Sequence, residues 1–260
     1  TIAEYFRDHG QDSLVIMDDL STHAKFYREI SLLANKFPGR NSYPADIFYI
    51  HSRLMERSGK FAVGNKEASI TCIPVVESSQ GDFSGYIQTN IMSMTDGHIY
   101  FDSNLFSEGR RPAINPFISV TRVGKQTQSD AKKSINRELL SFMTLYEKVR
   151  NYSHFGAEVT ESVRITIQTG NRLLAIFDQD PNIIIPSNIE AVFLSLIWSG
   201  SLKETDPKKL GEYRSKLVNL YNLNQGYRDY VDKAVLSSKN FDGLLIQVQT
   251  NLNQFFPTLK

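Results

Sequence analysis

Pro112-Ala113-Ile114-Asn115 runs on to Ser119-Val120-Thr121-Arg122-Val123-Gly124, a stretch that ends in a cation a packed core could not hold without a partner. Arginine stays charged in proteins, and its rigid fork of donors matches phosphate oxygens. Upstream, Ser13-Leu14-Val15-Ile16-Met17 is an apolar run closed by Asp18-Asp19. That is the pattern of a buried parallel strand with carboxylates at its C-terminal tip, where α/β folds bind ligands. Taken alone, Arg122 could also be an ordinary surface or ion-paired arginine, and a strand followed by aspartate occurs in many unrelated α/β proteins.

Positioning these groups requires two kinds of architecture along the chain. From Ser13 to about Gly124, strand candidates at Ser13 to Met17, Ser69 to Val76 and His98 to Phe101 alternate with helices at Ser21 to Asn35 and Ala45 to Ser58. This alternation predicts a parallel α/β sheet. In the second helix Ile47, Ile50, His51 and Leu54 fall on one face. After Gly124 helical periodicity takes over. Leu139, Leu140, Phe142, Met143, Tyr146 and Val149 trace one stripe, and Val163, Ile167, Leu173, Leu174 and Phe177 trace the next. Ile189 to Trp198, Pro207 to Tyr221, Gln225 to Leu236 and Phe241 to Phe256 share that period. The reading is an α/β domain at 1–126 and a helical domain at 127–260, with the change of texture near Gly124 to Ser129.

Composition narrows the functional classes. The 260 residues are 41% hydrophobic and 22% charged, with a formal net charge of +1. Such a balance lacks the basic excess of a nucleic-acid-binding domain. One cysteine, Cys72, excludes an internal disulfide, and the five histidines are not at metal-ligand spacing. No run reaches the roughly 20 apolar residues that cross a bilayer, so membrane association is expected only through partners. Thr1-Ile2-Ala3-Glu4 is not a signal peptide and reads as the interior of a longer chain.

Gly59-Lys60-Phe61-Ala62-Val63-Gly64-Asn65-Lys66 has two glycines at the interval of a phosphate-binding loop, but Asn65 stands where lysine is needed. It also precedes a strand instead of joining strand to helix. We read it as a surface loop.

Glu4-Tyr5-Phe6-Arg7, Asp18-Asp19-Leu20-Ser21, Tyr27-Arg28, Pro38-Gly39-Arg40, Tyr43-Pro44, Phe48-Tyr49, His51-Ser52-Arg53-Leu54, Thr95-Asp96-Gly97 and Arg111-Pro112-Ala113-Ile114-Asn115 occur in an order and spacing that resemble the α-subunit family of the F-type rotary ATPases. The resemblance is dense to about Gly124, thinner to about Pro181, and beyond that rests on helical character. It implies a RecA-like P-loop NTPase sheet, here without its Walker A part, followed by an all-α helical bundle. In the family the phosphate loop lies upstream of the strand that ends in Asp18, hence before Thr1. Asp19-Leu20-Ser21-Thr22-His23-Ala24 and the Ser119 to Gly124 signature have the α form, not that of the catalytic β subunit.

The resemblance implies a role for each of several residues. Asp18 would hold Mg²⁺ through water beside ATP or ADP, while Asp19 caps the next helix. Arg122 would reach in trans to the γ-phosphate held by the adjacent β subunit. Ser119 matches a position tied to activity. Ser93 matches an interface position near the partner's catalytic site, although both serines could equally be local turn or helix caps. Phe106, Arg111 and Gln179 match the adenine pocket, although Phe106 could also be core. The family's second glutamine falls at Pro181, a small residue falls at Phe117, and a glycine at Ala45.

The implied assembly is an alternating ring of α- and β-type subunits around a central stalk. It would lie on the cytoplasmic face of a bacterial membrane or the equivalent organellar side. Two alternatives keep the fold. One is an α-like subunit of a specialised motor coupled to something other than proton flow, and the other is a scaffold that binds no nucleotide.

Overall fold

The computed structural model describes residues 1–78, 81–153 and 160–257. Two compact units emerge: Thr1–His98 with Val120–Arg122, and Ile99–Ser119 with Val123–Lys260.

The first unit is a small sheet with helices. After α1 (Ile2–Asp8) come β1 (Ser13–Met17), α2 (Leu20–Leu33), α3 (Ile47–Met55), β2 (Gly59–Val63), β3 (Lys66–Pro74), α4 (Tyr86–Met94) and β4 (Gly97–His98). β1 pairs parallel with β3, Ser13 opposite Ile70, as the alternation of elements predicts. The sheet is nevertheless mixed, because β2 pairs antiparallel with β3. The Gly59 to Lys66 stretch is therefore an ordered hairpin, not a loop. Gly64 adopts the positive φ of 61° that its two-residue turn demands. β1 is also less buried than its composition implies. It is an edge strand, and Leu14 and Ile16 on one face are each 61% exposed.

Asp19 starts α2 by accepting the Thr22 amide at 2.5 Å, and this bond holds its carboxyl below the usual range. The core of the unit joins α2, α3 and α4 through Leu20, Ala24, Ile47, Met55, Ile87 and Ile91. Of the apolar face expected on α3, Ile47 and His51 are fully buried, while Ile50 and Leu54 are half-buried.

His51 meets His23 across α2 and α3, Nε2 to Nδ1, at 3.0 Å, and its Nδ1 has no partner. Burial, reinforced by the neighbouring His23, lowers its pKa from 6.5 to about 4. The unfolded chain thus takes up a proton that the folded chain refuses. The contribution of His51 to stability is complete above its unfolded pKa of 6.5 and is lost progressively as the pH falls toward about 4. The loss should total about 3 kcal/mol. Urea midpoints at pH 7 and pH 4.5 should fall further for the wild-type chain than for His51→Gln. Equal falls would refute the assignment.

The second unit is helical: α5 (Ser103–Ser107), α6 (Asp130–Ser153), α7 (Glu161–Phe177), α8 (Ser187–Trp198), α9 (Pro207–Leu223), α10 (Gln225–Ser237), α11 (Phe241–Thr250) and α12 (Leu252–Phe255). Asp206, Asn224 and Asn240 cap α9, α10 and α11 by accepting the amides of Lys208, Tyr227 and Gly243. The segment expected as one helix from Phe241 to Phe256 breaks at Asn251. α8 lies at the centre, buried on almost every side from Ile189 to Ile197. Trp198 packs edge-on between Phe142 and Phe241, at 4.9 and 5.5 Å. Among the described residues no helix is long and apolar enough to cross a membrane.

Candidate functional site

In the first unit the structure brings Ser93 and Arg122 together. Arg122 directly follows β5 (Val120–Thr121), which pairs antiparallel with β4. Its amide donates to Asp96 O at 2.7 Å, and Nη1 donates to Ser93 O at 2.9 Å. Both acceptors are neutral carbonyls, the side chain is exposed, and among the described residues Arg122 forms no ion pair. The guanidinium is oriented by one of its five donors, and the others have no partner among the described residues. The Ser93 hydroxyl is spent locally, on Asn90 O at 2.6 Å. Asp18 is exposed at the tip of β1.

Gly97 sets the height of this arrangement. A Cβ there would lie 2.3 Å from Val120 O and 3.0 Å from the Thr121 Cα, both backbone atoms of the strand that leads into Arg122. Gly97→Ala must push β5 away and should cost about 1 to 3 kcal/mol. By contrast Gly211→Ala, whose Cβ meets nothing within 4 Å in α9, should stabilise by about 1 kcal/mol. Urea denaturation of the two variants checks both signs.

In the second unit Ser119 joins two chain segments. Its hydroxyl donates to Asn115 O at 2.7 Å and accepts the Tyr100 amide at 3.0 Å. Asn115 donates from Nδ2 to Asp102 at 3.0 Å and accepts the Phe117 amide on its own side-chain oxygen at 3.1 Å. Phe117 is 41% exposed, so its bulk displaces no core. Asn115 and Asp102 are the organisers of this loop, a pairing that local sequence does not advertise.

Phe106, Arg111 and Gln179 also come together. The Arg111 guanidinium lies 3.6 Å from the Phe106 ring centroid and donates from Nη1 to Phe106 O and Arg110 O at 2.8 and 2.7 Å. One face of the ring is thus covered by a cation, while the residue remains 56% exposed. Gln179 is clasped to Arg111 by its amide, which donates to Arg111 O at 2.7 Å, while Asp178 Oδ1 accepts the Arg111 amide at 3.1 Å. The Gln179 Nε2 donates to Ile183 O at 2.7 Å. A carbonyl can only accept, so the amide is turned with Oε1 as its remaining acceptor.

Two family models match the chain in turn. Residues 1–121 match the nucleotide-binding domain of the ATP synthase alpha/beta family, and residues 128–250 match the C-terminal domain of the ATP synthase alpha/beta chain. The chain belongs to the ATP synthase alpha/beta family. Among curated members, ATP synthase subunit alpha of Wigglesworthia glossinidia brevipalpis is 36% identical over 95% of this chain and 50% of its own length. The subunit alpha of Shewanella amazonensis is 37% identical over 85% of this chain and 45% of its own. That of Actinobacillus pleuropneumoniae serotype 3 is 33% identical over 98% and 51%. The chain therefore spans about half the length of the curated ATP synthase alpha subunits it matches. The mixed sheet and the helical bundle agree with the family's two domains.

Proposed function

We propose that this chain is a non-catalytic, nucleotide-binding α-type subunit of a rotary ATPase head. It would supply Arg122 in trans to the catalytic site of an adjacent β-type subunit. The observation that carries the reading is the state of Arg122: exposed, steered by the Ser93 and Asp96 carbonyls, and free of any ion pair among the described residues. Charge developing on a transferring phosphoryl group is what such a fork stabilises. Ser119, the other residue assigned to activity in this reading, ties Asn115 to Tyr100.

Phe106, Arg111 and Gln179 take the base of ATP or ADP in this reading. The free acceptor on Gln179 suits the 6-amino donor of adenine and opposes the 6-oxo group of guanine. Asp18 is the Mg²⁺-side residue. Among the described residues no group of three or more His, Cys, Asp or Glu could cage a metal. One exposed carboxylate acting through water fits Mg²⁺, which keeps most of its waters and shares its remaining ligands with phosphates. Within this reading residues 1–126 form the nucleotide-binding domain and 127–260 the helical domain. The partners are β-type subunits in an alternating ring and a central stalk, and the head is peripheral to the membrane on its cytoplasmic or equivalent side. The test is hydrolysis by a reconstituted complex carrying Arg122→Ala in the full-length subunit, with nucleotide binding measured alongside.

A further inference from the structure

α7 ends at Phe177 with Asp178 extended, not a glycine, at its C-cap, so its last carbonyls need donors from elsewhere. One side chain from another helix supplies them. Arg214, in the middle of α9 and only 6% exposed, donates from Nη1 to Ile176 O and from Nη2 to Asp178 O, the latter at 2.7 Å. A cation at a helix C-terminus also meets the negative end of the dipole. Its counterion is Glu190 in the first turn of α8, whose Oε2 stands 3.9 Å from Nη1. That oxygen is shielded from solvent and accepts no hydrogen bond, and burial raises the carboxyl's pKa while Arg214 opposes the rise. Arg214, Glu190 and Gln179 all border one cavity of about 410 Å³ in the helical unit.

The tethers reach the purine end in two steps. Asp178, held through its carbonyl, holds the Arg111 amide through its carboxylate, and the next residue, Gln179, donates back to Arg111. Arg111 in turn stacks on Phe106. We propose that Arg214, with Glu190 as its counterion, is a positioning residue for purine recognition. It fixes the Asp178–Gln179 loop so that the Gln179 acceptor and the Phe106–Arg111 stack meet an adenine base together. This rests on the reading above that these three residues take the base.

Equilibrium binding of Mg-ATP and Mg-GTP to the full-length subunit tests it. Arg214→Met removes two charge-assisted hydrogen bonds and should weaken Mg-ATP about ten- to a hundredfold, while the preference for ATP over GTP collapses toward unity. Arg214→Lys keeps the charge but cannot span both carbonyls as a fork does, so it should fall between wild type and Arg214→Met. Exchange of the Gln179 amide, measured without nucleotide, should be faster in both variants.

A merely structural arginine would lower the melting temperature yet leave the ATP/GTP ratio alone, and that result would overturn the proposal. Should Arg214→Met fail to fold, an unchanged ratio in Arg214→Lys would overturn it equally. If Gln179→Ala loses the ratio while the Arg214 variants keep it, positioning is refuted and the base-binding reading stands. If the wild-type subunit shows no ATP preference, the base-binding reading falls and takes the proposal with it.

Discussion

Replacing Arg122 by alanine is expected to slow steady-state hydrolysis by the assembled complex about a thousandfold or more. The size is that of a guanidinium acting on a neighbour's transferring phosphoryl group, as proposed above. Arg122 is held by neutral carbonyls and exposed, so its removal breaks no ion pair among the described residues and leaves no buried charge unpaired. The loss should therefore appear in turnover and not in folding. Nucleotide binding to the neighbouring subunit should be nearly unchanged, because an interaction made chiefly in the transition state lowers kcat without a matching rise in KM. Arg122→Lys keeps the charge without the planar fork and should recover only a small part of the rate. Turnover within about tenfold of wild type in Arg122→Ala would be too small a loss for an arginine finger. Arg122 would then be an ordinary surface cation.

Phe193→Ala should have the largest effect on stability, about 3 to 5 kcal/mol. Phe193 is completely buried on α8, the helix whose residues are covered on nearly all sides. Truncation removes the transfer energy of a large ring and leaves a cavity that its neighbours fill incompletely. Ser195, a buried serine on the same helix, is already satisfied by the Ala191 carbonyl at 2.8 Å. Against a typical domain stability of about 5 to 15 kcal/mol, the helical unit would lose about a fifth or more of its margin. Phe193→Leu, which keeps most of the volume, should cost clearly less. Urea denaturation followed by circular dichroism gives both numbers. A loss below about 1 kcal/mol for the alanine variant would mean that the centre of the bundle repacks freely, contrary to the close packing of protein interiors.

Much of the element order was legible in the chain because it depends on neighbours a few residues apart. The 3.6-residue period marked α8 and α9 to within two residues, and Asp19 announced the start of α2, since an N-cap bond spans only three residues. The order of short motifs around Asp18 and Arg111 pointed to the ATP synthase family before any geometry was known. Phe241 to Phe256 reads as one helix because periodicity continues across the break at Asn251.

Contacts between distant residues decided the rest. A glycine-spaced stretch and a hairpin look alike until β2 finds β3, and an apolar strand reads as buried whether or not a second layer covers Leu14 and Ile16. The order of residues was enough to give the family, the helical and strand periods and the presence of an arginine suited to phosphate. It took the folded chain to show that Gly97 must lack a Cβ under β5 and that Arg111 covers one face of Phe106. The same holds for Arg214, which meets the end of α7 and the Asp178 carbonyl 36 residues earlier in the chain. Hydrogen-bond and steric partners so far apart in the chain leave no local pattern, because what selects them is the packing of whole helices and strands.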